Sequence, residues 1–68
     1  MFIHNYTLPD GWYMAAFETP HPAIIIEMDE WCSQWFGADS KLWRNYIIYG
    51  EVQFFREQDL AMFMLKYV

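Results

Sequence analysis

The sequence predicts an α+β fold: a small antiparallel sheet of three to four strands with two helices on one face, in the order β(β)αββα. Three observations carry it. Residues 24–36 repeat apolar side chains at the helical period, several β-branched and aromatic runs are separated by turn residues, and the last stretch, "EQDLAMFMLKYV", is a second helical pattern. Helices packed on one side of an antiparallel sheet give the two layers that so short a chain can close.

The first punctuation is "LPDGW". Pro9 sets φ for a turn, Asp10 can bond its own backbone and Gly11 accepts positive φ. "FIHNYTL" before it and "WYMAAFE" after it have strand composition, so residues 2–18 are expected to form a hairpin, its second strand the better defined. "TPHP" ends that strand, and Pro22 suits the first position of a helix. In that helix Ile24, Met28, Trp31 and Trp35 share one stripe, with Ile25, Cys32 and Phe36 on its flank. Glu27, Asp29, Glu30, Ser33 and Gln34 lie opposite, and Gly37 ends it.

"ADSK" links to "LWRNYIIY" and "EVQFFRE", two β-rich runs turning at Gly50, which form a second hairpin. The final helix starts near Glu57, with Glu57 and Asp59 at its positive end and Lys66 at its negative end. Leu60, Phe63, Met64 and Tyr67 centre an apolar arc that Ala61, Leu65 and Val68 widen, leaving Met62 and Lys66 facing away. An arc so wide implies neighbours on two sides, the sheet and the first helix.

The 68 residues form a single domain, 1–68, that buries only about 60% of its unfolded surface, so its core is weak. A single cysteine offers no disulfide, and Cys32, His4 and His21 have no metal-ligand spacing. Association with a partner or with further copies is the remaining support. Fifteen aromatics, 22% of the chain, exceed what two thin layers hide, so some are expected at the surface. "MFIHNYTL" lacks the basic region and apolar run of a secretory leader, and no apolar run spans a bilayer, so a cytoplasmic protein with no membrane partner is expected.

Of the net charge of −5, residues 1–40 carry the whole excess, with six acidic side chains and no Lys or Arg. Such a segment opposes nucleic acid and steers basic protein surfaces. Cys32 falls on a helix flank beside Glu27, Asp29 and Glu30, where nothing lowers its pKa, and is expected to be an inert core thiol. The helix carboxylates sit on a solvated side and do not converge, and the three glycines serve turns and caps, not a phosphate loop. No catalytic residue, cofactor or metal is indicated.

Strand alternation places Trp12, Met14 and Ala16 against Tyr13, Ala15 and Phe17, with apolar side chains on both faces of the sheet. The expected contact face is Tyr13, Phe17, Tyr46, Ile48 and Phe55, the opposite choice being Trp12, Trp43, Tyr49 and Phe54. Glu27, Asp29 and Glu30 supply its electrostatic complement.

"WRNYIIYGEVQFFREQDLAMFMLKY", together with "LPDGWY", resembles small accessory proteins of tailed bacteriophages, in which an aromatic hairpin leads through an acidic turn into a short apolar helix. Phe54, Phe55, Glu57, Asp59, Leu60, Phe63, Leu65 and Tyr67 trace that pattern, with Leu60 where a small residue is usual and Tyr67 where Trp is. The resemblance covers less than half the chain and implies a phage setting: a non-enzymatic protein that binds and modulates or inhibits a host protein, such as a defence protein, in the host cytoplasm. The alternative it implies is a minor structural component of the particle, forming a homo-oligomer or obligate complex.

Overall fold

The structure is a computed structural model that describes residues 2–18, 21–38 and 41–67. Val68 of the expected apolar arc, Asp39 and Ser40 of the expected link, and Thr19 and Pro20 before the first helix lie outside the described residues.

Four strands, β1 (Ile3–Thr7), β2 (Tyr13–Phe17), β3 (Trp43–Tyr46) and β4 (Glu51–Phe54), form one antiparallel sheet in the order β1-β2-β4-β3. Helix α1 (Pro22–Phe36) follows the first hairpin and α2 (Glu57–Tyr67) follows the second. The α+β class and the order of elements are as the sequence predicts, and the first strand is present.

The first hairpin closes through the expected turn. Asp10 Oδ1 accepts the Trp12 N–H at 3.0 Å, Leu8 N–H donates to the Trp12 carbonyl, and Gly11 takes φ 90°, a region disfavoured for residues with a Cβ. Pro22 opens α1 as expected, but its cap is His21, whose Nδ1 accepts the Ala23 N–H at 3.1 Å. Trp43 Nε1 donates to the Gly37 carbonyl at 2.6 Å and fixes the end of α1 to β3.

The expected strand through "LWRNYIIY" stops at Tyr46, and Ile47–Tyr49 form a 3-10 turn, here η1. Asn45 is the physical cause. Its side-chain oxygen accepts the Ile47 N–H at 3.1 Å, a local bond that competes with the strand ladder. Gly50, at φ 80°, then returns the chain into β4.

Register sorts the sheet into two faces. Tyr13 and Trp43 both stand opposite Phe54, Ala15 and Asn45 opposite Val52, and Phe17 opposite Ile3. This is the face that the helices cover, and Ala15, Val52 and Phe54 are wholly buried there. α2 packs over β2 and β4, with Phe63 ringed by Phe17, Phe54, Trp31 and Tyr67 at centroid distances of 4.9–6.4 Å. α1 lies beside it, buries Met28, Cys32 and Phe36, and contacts η1.

Both helix stripes are narrower than expected. Ile24 and Trp35, placed at the centre of the α1 stripe, are exposed, and the line through Met28, Cys32 and Phe36 takes that place. Trp31 reaches sideways to α2 instead. In α2, Ala61 and Leu65 do not widen the buried arc: both are exposed, Leu65 at 86%. Asp59 is buried instead, its carboxylate gripped by Arg56 Nε at 3.0 Å and Nη2 at 3.3 Å.

Candidate functional site

The expected contact face does not exist as one surface. Tyr13 and Phe17 turn toward the helices, Phe17 within the core and Tyr13 packed against it. Tyr46 projects from the opposite, open face, Ile48 stands on η1, and Phe55 lies beyond β4 with its ring 5.6 Å from Trp12. The expected alternation holds in β2 and β4 and for Trp43 against Tyr46, but not through Ile47–Tyr49, which leave the strand. What alternation lacks is the register between strands, which puts Tyr13 on the side of Trp43 and not of Tyr46. Nor are both faces apolar: the open one mixes His4, Tyr6, Met14 and Tyr46 with Arg44, Glu51 and Gln53.

The acidic trio also divides. Glu27 and Asp29 flank the buried line of α1 on opposite sides. Glu27 accepts the Tyr67 hydroxyl at 2.7 Å and pairs with Lys66 at 3.7 Å, which joins α1 to α2. Asp29 accepts the Asn45 amide at 2.6 Å, which joins α1 to β3. Among the described residues, none gives the Glu30 carboxylate a hydrogen bond or ion pair.

On the Asp29 side a groove of about 260 Å³ opens between α1 and η1, lined by Ile25, Ile26, Asp29, Glu30, Asn45, Ile47 and Ile48. The three consecutive isoleucines of α1 explain it. Successive helical residues step by about 100°, so Ile25 turns inward while Ile26 cannot follow and stays 60% exposed. Across the groove, η1 makes the same division, burying Ile47 and leaving Ile48 62% exposed. Asn45 fixes the geometry by bonding Asp29 of α1 and Ile47 of η1 with the same side chain. Asp29, Glu30 and Ile48 were among the residues expected to bind a partner; Ile26 and Asn45 were not. The run "AIII" held the signal, since a helix cannot bury three consecutive isoleucines on one stripe.

The reactive groups show no convergence. Cys32 is buried, and that burial, with Asp29 and Glu27 nearby, pushes its thiol up to about 12. Tyr67 is likewise pushed well up, by burial and by the Glu27 carboxylate that it bonds. His4 lies on the open face and His21 caps α1. Among the described residues no group of three His, Cys, Asp or Glu side chains is placed to hold a metal, and no helix is long and apolar enough to cross a membrane.

No family model, curated protein or solved structure matches this chain.

Proposed function

We propose that this chain is a non-catalytic accessory protein that binds and modulates a host protein in the cytoplasm through exposed apolar side chains. The supporting observation is the pair Ile26 and Ile48, two large aliphatic residues left facing solvent on the walls of one groove. Aliphatic surface grouped around a concavity marks contact sites. The phage resemblance supplies the setting, and an anti-defence role belongs to it.

The test is affinity purification of the tagged chain from expressing bacterial cells, read by mass spectrometry beside the Ile26→Ser/Ile48→Ser variant. A partner held by the wild type and lost from the variant is the expected result. Light scattering that finds a stable homo-oligomer, with no partner enriched, would favour the second reading, a structural component of a particle. One observation supports that reading: β1 is an edge strand, "IHNYT", with none of the Lys or Pro that deters strand addition.

A further inference from the structure

We infer that the groove between α1 and η1 receives a basic amphipathic helix of the partner. One apolar side chain seats between Ile26 and Ile48, and a neighbouring Lys or Arg meets Glu30. This rests on the protein-binding reading above and gives it a site and a partner chemistry.

Size is the first argument. At about 260 Å³ the groove falls below the roughly 300–1,000 Å³ of pockets that enclose a small organic ligand, yet it holds one or two aliphatic side chains. A helix laid into a groove uses such anchors.

Charge selects among the helices that would fit. Asp29 and Glu30 sit on the lining, and no described Lys or Arg pairs with either. Of the four cations, Arg44 is engaged by Asp10, Arg56 by Asp59 and Lys66 by Glu27, and Lys41 pairs with neither carboxylate of the lining. The carboxylate of Glu30 is therefore available to a cation from outside, whereas an acidic helix or an anionic lipid surface would be repelled. A second copy of this chain does not supply the occupant. Its α2 carries one cation, Lys66, already held by Glu27, and α1 carries none.

The groove is also preformed. Ile47, 1% exposed, anchors η1 in the core, and Asn45 ties η1 to α1, so docking costs little reordering of the walls.

The probe is a synthetic Leu/Lys amphipathic peptide of about 15 residues, long enough to hold a helix. It is titrated into the isotope-labelled full chain and followed by amide chemical shifts. The expected result is shifts gathered at Ile25, Ile26, Glu30, Ile47 and Ile48. Binding should weaken at least ten-fold in Ile26→Ser/Ile48→Ser, and Glu30→Gln should weaken it several-fold while flattening its salt dependence. A Leu/Glu peptide of the same length should not bind. Both isoleucines are exposed, so the variants should keep the wild-type spectrum elsewhere. Shifts centred on Tyr6, Met14 and Tyr46, or equal affinity in the double Ser variant, would overturn the groove assignment. If a cellular partner is still recovered by the double variant, the groove fails and the binding reading stands. If the wild type recovers none, the binding reading fails whatever the peptide does.

Discussion

Arg44 lays its guanidinium 3.7 Å from the centre of the Trp12 ring, on the open face of the sheet. To get there from the edge strand β3 it crosses β4, donating to Gln53 Oε1 at 3.0 Å and to Asp10 Oδ2 at 2.9 Å on the way. One side chain thus fastens the first hairpin's turn to the second hairpin. Arg44→Ala should cost about 1–2 kcal/mol, the sum of an exposed cation–π contact and a hydrogen bond, and Arg44→Lys should recover only part of it because an ammonium has no planar fork. Urea melts of the three proteins measure this; equal midpoints would mean that the contact contributes nothing.

Asp10 reports on the same clamp through pH. The Trp12 backbone N–H, and after it Arg44, hold its carboxyl below the ordinary value of 3.8. A lowered folded-state value means that the stabilisation is present above the ordinary aspartate range and is lost as pH falls through the folded value. The NMR titration of Asp10 should therefore have its midpoint below 3.8 in the wild type and move upward in Arg44→Ala, without reaching the ordinary value because the Trp12 N–H remains. A midpoint that ignores the substitution would show that the ion pair does not act on it.

Phe63 is wholly buried among four aromatic rings, so Phe63→Ala should cost about 3–5 kcal/mol and leave the isolated chain largely unfolded. On the same helix Met62→Glu and Leu65→Lys should stay within about 0.5 kcal/mol, both residues being exposed. Thermal melts decide it, and a folded Phe63→Ala protein would contradict the packing of α2.

Cys32 gives an alkaline signature. Its folded value of about 12 lies above the ordinary 9.0, so the stabilisation of the neutral thiol is complete below about 9 and is lost as pH rises toward 12. Tyr67, shifted in the same direction, adds to the loss above about 10. Stability should fall across this window, less steeply in Cys32→Ala. At pH 8 the native thiol should resist labelling until the chain unfolds. Rapid labelling of folded protein would show that the thiol is open to solvent.

Element types could be read from these residues because each rests on a local signal: Pro22 and Gly37 bracket α1, Gly11 and Gly50 mark the turns, and alternation marks the strands. Register was out of reach. Nothing local says that Tyr13 meets Phe54, and that pairing decides which aromatics the helices cover. The end of β3 is hidden in the sequence for a related reason: it depends on Asn45 competing for the Ile47 N–H. The candidate site was half visible. The sequence marks Asp29, Glu30 and Ile48 as contact residues, but their meeting across α1 and η1 depends on long-range packing, and the aromatics expected beside them lie elsewhere.

Because β2 and β4 alone join the two halves of the sheet, the molecule divides into interdependent parts. Each hairpin closes over short separations and can form within microseconds, while the central pairing must bring together strands from opposite ends of the chain and comes late. A lone two-stranded hairpin is marginal in water, and its helix has no covered face to rest on until the other hairpin arrives. The chain therefore closes at its central strand pair, with the helix contacts on either side falling into place with it. Cut in the link between α1 and β3, its two pieces would be expected to stay loose apart and to recover the fold by complementing one another across the β2–β4 pair and the α2–β2 and α1–η1 contacts beside it.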